Sequence, residues 1–220
     1  MTGGVDGLAC VFDCSALSDE EAALSGVLSV GSSVARLGFC GALGERLWAT
    51  TGTEELAVWR WADGDRCGSL LETRAAAAAA AATCPEAAAA LCSGEDTVDY
   101  LVRCEWDAAG QTLWLLAGTQ GGAVAAFPVA DPAGVDAPLR LGPPAVLLAG
   151  GHADVVRAVE VRLERGVARA GALTGGEDSR LCAWALPLLE PPAVAMDEAP
   201  PAHGAARRSA SSDSARFSPY

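Results

Sequence analysis

The sequence predicts an all-β protein that is built from consecutive four-stranded antiparallel units. One turn motif recurs four times: a small residue and Gly, an acidic residue or Gly four positions after the small residue, and an aromatic residue six positions further on. Apolar stretches of strand length flank each copy and end at Gly-rich turns, a pattern typical of short antiparallel strands. Hydrophobic residues make up 51% of the 220 residues, which is enough to bury a core.

The motif copy in residues 150–185 is the one that has a polar side chain at all four positions 152, 174, 178 and 184. It opens with Gly151-His152, and His152 lies in the connector before the first predicted strand of the unit. Thr174 ends the second strand, Asp178 lies in the following turn, and Trp184 lies on the third strand. A carboxylate, an imidazole, a hydroxyl and an indole N–H supply each other with matching donors and acceptors.

This pattern resembles the repeats of the WD-repeat family, in which a unit runs from a Gly-His pair to a Trp-Asp pair. Each repeat of that family supplies four strands of a β-propeller blade. The resemblance implies that His152, Thr174, Asp178 and Trp184 form a buried network that stiffens the blade. A catalytic or metal-binding role for His152 is the alternative. The structural role is favoured because the other three groups stand at the spacing of the family.

Two further copies retain part of this network, and the resemblance implies partial networks there. The first consists of Thr2, Asp6 and Phe12, and the second of Thr51, Glu55 and Trp61. The remaining copy has Ala117, Gly121 and Phe127 at these positions, so it has lost its polar members. Only Phe12-Asp13 keeps the terminal Asp of the family signature.

The motif copies divide the chain into a repeat region and a tail. The repeat region, residues 1–185, contains units at about 1–30, 31–74, 95–149 and 150–185. An Ala-rich stretch at 75–92 interrupts it, which we expect to be a surface insertion, disordered or briefly helical. Residues 186–220 are rich in Pro and Ser and lack periodicity, so they are predicted to be a disordered tail.

About three and a half blades are predicted, and this number does not close a propeller ring. The first unit starts at the turn after a second strand, so the chain is predicted to begin within a blade. We therefore expect the sequence to be a fragment of a longer protein.

Composition excludes several classes of function. The net charge of −13 repels phosphate backbones, so direct nucleic-acid binding is not expected. Pro85 and Glu86 break the Ala-rich stretch, which argues against a membrane span. The eight Cys form no C-x-x-C pair and only two His are present, so no metal site and no cofactor are expected. The N-terminus lacks a signal peptide, which predicts an intracellular protein, nuclear or cytoplasmic.

The predicted function is a non-enzymatic scaffold that binds other proteins, and the acidic charge favours a basic partner. A substrate receptor of a ubiquitin ligase is one alternative, although none of the third strands is followed by the Trp-Asp-x-Arg sequence of such receptors. A propeller enzyme is the other alternative. It is disfavoured because His152 is assigned to the network and no Ser lies in a G-x-S-x-G setting.

Overall fold

A computed structural model describes residues 1–16, 19–92, 97–130, 136–163 and 170–186. The predicted disordered tail lies outside the described residues from residue 187 onward. Within the described residues, four separate antiparallel sheets follow one another along the chain. Each has the form of a propeller blade in which neighbouring strands are joined by short turns.

The first two sheets cover the N-terminal third of the chain. The first contains β1 (Thr2–Gly3), β2 (Leu8–Phe12) and β3 (Leu24–Ser29), and the short helix α1 (Glu20–Ala23) precedes β3. The second contains β4 (Val34–Cys40), β5 (Arg46–Thr51), β6 (Leu56–Arg60) and β7 (Asp65–Leu70). All the pairings among these seven strands are antiparallel.

The third and fourth sheets follow two helices, α2 (Thr73–Ala81) and α3 (Pro85–Leu91). The third sheet contains β8 (Tyr100–Asp107), β9 (Thr112–Gly118) and β10 (Val124–Ala130). The connector after β10 forms β11 (Ala137–Pro138), β12 (Arg140–Leu141) and β13 (Val146–Leu148), of which β12 and β13 pair with β10. The fourth sheet contains β14 (Val156–Leu163), β15 (Ala170–Gly176) and β16 (Leu181–Leu186).

Successive sheets pack face to face in chain order. Strand β1 contacts β4, β4 contacts β8, and β8 contacts β14, so the first strand of each complete sheet lies next to that of the following sheet. Side chains from neighbouring sheets share their cores: Trp48 and Leu56 of the second sheet cluster with Leu115 and Phe127 of the third. Strands that are buried on both faces in this way carry apolar runs rather than strict alternation, as β5 and β9 do.

The Ala-rich stretch differs from the predicted surface insertion, because its two helices contribute to the core. Ala77, Ala81 and Leu91 are fully buried and join the cluster that the second and third sheets share. Ala has the highest helix propensity, and its small side chain lets a helix approach a sheet closely. Within the described residues, no helix has the length and hydrophobicity that crossing a lipid bilayer requires.

The connector after β10 fastens the second sheet to the third. Its strand β11 adds to β7 in parallel, at the outer edge of the second sheet. Next to it, both guanidinium nitrogens Nε and Nη2 of Arg66 donate to the carboxylate of Asp136, at 2.6 and 3.2 Å. A bidentate pair of this kind fixes the geometry of the two residues. The connector thereby ties the third sheet to the second through residues that are 70 positions apart in sequence.

Candidate functional site: the turn rim and its polar network

The four hairpins that carry the motif have the same backbone geometry. In each, the third turn residue has a positive φ: 78° at Gly7, 65° at Glu54, 87° at Gly122 and 62° at Ser179. The N–H of that residue donates to the carbonyl of the residue three positions earlier, as in a type I turn followed by a left-handed residue. Gly adopts this conformation without strain, whereas Glu54 and Ser179 are strained by their Cβ atoms.

All four turns lie at the same edge of the arc of sheets. Each first strand starts opposite the end of the second strand of its sheet, as Val34 does opposite Thr51 and Val156 opposite Gly176. The connectors that lead into the first strands therefore meet the turns there. We call this edge the turn rim; it comprises the four turns and the connector residues 30–33, 97–99 and 149–155.

The structure brings His152, Thr174, Asp178 and Trp184 together at the rim. Nδ1 of His152 lies 3.0 Å from Oδ1 of Asp178, and Nε2 lies 2.8 Å from Oγ1 of Thr174. The indole N–H of Trp184 donates to the same hydroxyl oxygen at 2.8 Å. Only 1% of the His152 side chain is exposed. These partners assign the proton of a neutral imidazole to Nδ1, so that Nε2 accepts from the Thr174 hydroxyl.

Asp178 also holds the backbone around it. Its carboxylate accepts from the N–H groups of Ala153 and Arg180, at 3.0 and 3.1 Å. The bond from His152 is the main reason that the pKa of Asp178 is lowered to about 2, and the two backbone N–H groups lower it further. The carboxylate thus joins the connector before β14 to the turn between β15 and β16.

Lowering the pH should remove the stabilisation that Asp178 provides. Its pKa is depressed in the folded state, so the unfolded chain binds more protons between about pH 4 and about pH 2. The contribution is complete above about pH 4 and is lost as the pH falls through about 2. We expect the urea-unfolding free energy of wild type to exceed that of Asp178→Asn at pH 6, with the gap narrowing by pH 2.5. A difference in unfolding free energy between wild type and Asp178→Asn that does not change with pH would contradict the lowered pKa of Asp178. Asp154→Asn serves as the control.

The first partial network is only partly assembled. Asp6 occupies the turn position of Asp178, and its carboxylate accepts from the N–H of Leu8 at 3.1 Å, as Asp178 accepts from Arg180. Thr2 is exposed on β1, opposite Cys10, and Phe12 ends β2. Asp6 therefore stabilises its own turn, as the short side chain of Asp does in many turns.

The second partial network is not formed, because the structural register differs by two residues from the sequence alignment. The indole N–H of Trp61 donates to the carbonyl of Gly44, at 2.8 Å, beyond the far end of β6. The hydroxyl of Thr51 lies 2.9 Å from that of Thr53 and accepts from the backbone N–H of Glu55 at 3.1 Å. The two hairpins can be aligned on the turn residue with positive φ, which is Glu54 in the second sheet and Ser179 in the fourth. In this alignment Ala49 corresponds to Thr174 and Thr53 corresponds to Asp178. Trp59 corresponds to Trp184. Two of the three polar groups are therefore replaced.

Two hydrogen bonds that join neighbouring sheets at the rim were not predicted from the sequence. The carboxylate of Glu54 accepts from the N–H of Leu101, at 2.6 Å, and links the second sheet to the third. The hydroxyl of Tyr100 accepts from the N–H of Val156, at 2.7 Å, and links the third sheet to the fourth. Burial raises the pKa of Glu54, although the Leu101 N–H and Arg74 oppose this change. No spacing rule signals these pairs, because each depends on how two sheets dock.

Negative charge dominates the rim. Arg157 and Arg180 there face their own carboxylates, with Arg157 Nε donating to Glu177 at 2.6 Å and Arg180 Nε lying 3.8 Å from Asp178. Two further cations lie next to the rim: Arg36 lines a pocket together with Glu54, and Arg74 Nη1 donates to the carbonyl of Asp99 at 3.2 Å. The carboxylates that outnumber them belong to Asp6, Glu54, Glu55, Asp99, Asp154, Glu177 and Asp178. A cation that approaches from solvent therefore meets a net negative field.

The rim offers little for metal or redox chemistry. In the part of the chain that the structure describes, no group of three or more His, Cys, Asp or Glu side chains is placed to hold a metal ion. The cysteines of the described residues form no disulfide. Burial raises the pKa of the Cys104 thiol, so that group stays protonated and unreactive.

Comparison with known proteins agrees with this architecture. The chain is 37% identical over 187 residues to WD repeat-containing protein GTS1 of Arabidopsis thaliana, which covers 84% of this chain and 43% of that protein. The sequence and the fold support the WD-repeat family. The predicted fold class, an all-β and incomplete WD-repeat propeller, is confirmed for the described residues. No protein-family model matches the sequence.

Two solved structures align with most of the chain at low sequence identity. The crystal structure of Saccharomyces cerevisiae Sqt1 superimposes with a TM-score of 0.48 at 18% identity, over 83% of this chain and 41% of that chain. A chain of the Mitotic Checkpoint Complex gives a TM-score of 0.48 at 13% identity, over 84% and 44%. The chain thus spans less than half the length of the proteins it matches.

Proposed function

We propose that this WD-repeat chain is a non-enzymatic scaffold whose turn rim binds basic segments of other proteins. The observation that carries the proposal is the excess of carboxylates at the rim, where Arg157 and Arg180 already face Glu177 and Asp178. Loops that are held by a rigid scaffold are common binding surfaces. The same field repels the phosphates of nucleic acids, so the proposed partners are proteins.

The non-enzymatic part of the proposal is supported by the way in which His152 is used. General base catalysis needs a ring nitrogen within reach of a substrate. Both nitrogens of His152 are engaged, by Asp178 and Thr174, and the side chain is buried. The proposed role of the network is therefore to hold the connector before β14 against the turn that follows β15. No cofactor enters this proposal.

A more specific resemblance, to one protein of the WD-repeat family, is part of the same proposal. Four segments follow the order of the C-terminal part of WD repeat-containing protein 89, and they begin at Asp99, Leu116, Gly150 and Leu173. We propose that the chain is similar to that protein and acts inside the cell, in the nucleus or the cytoplasm, where its thiols stay reduced. The alternative of a ubiquitin-ligase receptor gains no support from the contacts of the described residues.

Charge neutralisation at the rim tests the proposed function. We expect a fluorescein-labelled octalysine peptide to bind wild type in 50 mM salt and to lose affinity as salt rises, because screening weakens exposed charge pairs. The triple variant Asp6→Asn, Glu55→Gln and Asp154→Asn removes three rim carboxylates but keeps the side-chain shapes. It should weaken the binding measured by fluorescence anisotropy by about tenfold.

A matched triple variant at the opposite edge serves as the control. Asp19→Asn, Glu21→Gln and Glu45→Gln remove the same charge from exposed positions far from the rim. We expect this variant to change the affinity by less than about twofold. Equal losses in the two variants, or no salt-dependent binding to wild type, would contradict the rim as the binding surface.

A further inference from the structure

An apolar cavity lies between the third and fourth sheets, at the end that is remote from the turn rim. Asp107 lines it and pairs with Thr112 beside the hairpin that joins β8 to β9, opposite the motif turns. The cavity has a volume of about 90 Å³. Its walls come from both sheets and include Trp114, Leu116, Val146, Val159, Ala172 and Leu186.

The size and lining of the cavity select a small apolar group. An engineered protein cavity of about 150 Å³ holds a benzene molecule. A volume of about 90 Å³ therefore suits a branched aliphatic side chain better than an indole ring. Burying such a side chain between apolar walls is favourable in proportion to the area removed from water.

A buried donor beside the cavity has no acceptor. The indole N–H of Trp114 is buried, and no residue that the structure describes accepts its hydrogen bond. Trp114 itself forms part of the cavity wall. Buried donors are nearly always satisfied in folded proteins, since leaving one unpaired costs free energy. Because this nitrogen is buried away from the open space, a ligand in the cavity contacts the indole of Trp114 through its carbon atoms.

Two carboxylates line the cavity, and a third shares an Arg partner with one of them. Glu105 and Asp107 line it, and Arg103 reaches both Glu105, at 2.8 Å, and Glu160, at 3.6 Å. One guanidinium is thus shared by two carboxylates, and Asp107 adds a third negative charge. Burial raises the pKa of Glu105 even though Arg103 opposes the change. A cation that approaches this carboxylate compensates part of its lost hydration.

We propose that this cavity binds a segment of a partner protein in which a branched aliphatic residue is flanked by Lys or Arg. The aliphatic side chain fills the apolar space between the third and fourth sheets. The flanking cations face Glu105 and Asp107. The Leu188-Leu189 pair of the chain itself is a weaker match, because Glu190 follows it and repels these carboxylates.

Peptide binding tests the proposal through the central residue of the peptide. A fluorescein-labelled Gly-Arg-Arg-Leu-Arg-Arg-Gly peptide should bind wild type at least about tenfold more tightly than the same peptide with Ala in place of Leu. Ala172→Leu fills the cavity and should reduce this Leu-to-Ala ratio to below about twofold. Ala57→Leu, on β6 of the second sheet, is the matched control and should keep the ratio. The Leu-to-Ala affinity ratio does not depend on the carboxylates of the turn rim. A ratio near one in wild type would therefore refute the cavity proposal without refuting the proposed function.

Further variants make each outcome decisive. If thermal melting shows that Ala172→Leu does not fold, Ala126→Leu fills the same cavity from β10. Asp107→Asn with Glu160→Gln should weaken the Leu peptide at least about threefold in 50 mM salt, but leave a Ser-flanked Leu peptide unchanged. Equal binding of the Leu and Ala peptides to wild type would overturn the proposal. So would tighter peptide binding in Leu188→Asp, which would show that the tail occupies the cavity, or a concentration-dependent dimer that excludes the peptide.

Discussion

Replacing His152 by Ala should lower the free energy of unfolding by about 2–4 kcal/mol. The substitution removes the imidazole that bridges Asp178 and Thr174 at 3.0 and 2.8 Å. It leaves a cavity where the buried ring was, and it deprives a carboxylate and a hydroxyl of a partner. The connector before β14 then loses its main polar attachment to the hairpin of the fourth sheet.

Urea unfolding followed by circular dichroism measures this loss. Gln120→Ala is a suitable control, because Gln120 is an exposed residue in the equivalent hairpin of the third sheet, and it should change stability by less than about 0.5 kcal/mol. The affinity of the folded variant for the octalysine peptide should match that of wild type. An unchanged unfolding free energy in His152→Ala would show that the network does not support the blade.

Replacing Tyr100 by Phe should cost about 1–3 kcal/mol, which is the usual penalty for an unsatisfied buried donor. The Tyr100 hydroxyl accepts from the N–H of Val156 at 2.7 Å, and Val156 is 1% exposed, so water cannot replace the hydroxyl without local opening. The lost bond joins the third sheet to the fourth. The two sheets should therefore separate more readily.

Amide hydrogen exchange shows which strands lose stability in Tyr100→Phe. In Tyr100→Phe, exchange should accelerate at Val156 and along β14, while β5 and β6 of the second sheet keep their protection. Ser15→Ala removes a hydroxyl whose partner, Asp13, is exposed, and it serves as the control with little expected effect. Uniform acceleration across all sheets, or none at Val156, would contradict a local role for this bond.

The places of the network residues in the fourth sheet followed from a spacing that resembles the WD-repeat family, whereas the same spacing misplaced the residues of the second sheet. In the fourth unit, the distances between Thr174, Asp178 and Trp184 fix their places on a strand, a turn and the next strand. In the second unit, the sequence Thr51-Gly52 imitates Thr174-Gly175 but lies two residues further along its hairpin. Side chains alternate with a period of two, so a shift of two keeps the same faces and leaves the apolar pattern intact. Turn geometry at Glu54, which the sequence does not reveal, decides the register.

The burial of the Ala-rich helices also lay beyond sequence reasoning. Composition indicates that a run of Ala forms helix readily, but Ala is compatible with either a surface or a core. What decides its place is the space between the outer edges of the second and third sheets, which α2 and α3 cover. The links from Glu54 to Leu101 and from Tyr100 to Val156 arise in the same way, since they exist only once two sheets have docked.

A cross-link map tests the central proposal, a turn rim that binds basic protein segments, most directly. The chain contains no Lys, so its α-amino group is the only amine of its own that a carbodiimide can couple to its carboxylates, and nearly all products join the chain to an octalysine peptide. Mass spectrometry of these products at low salt should find the peptide coupled to Asp6, Glu55, Asp154 and Glu177, with yields that fall as salt rises. Products confined to Asp19, Glu21, Glu45 and Asp63, at the opposite edge of the sheets, would contradict the proposal.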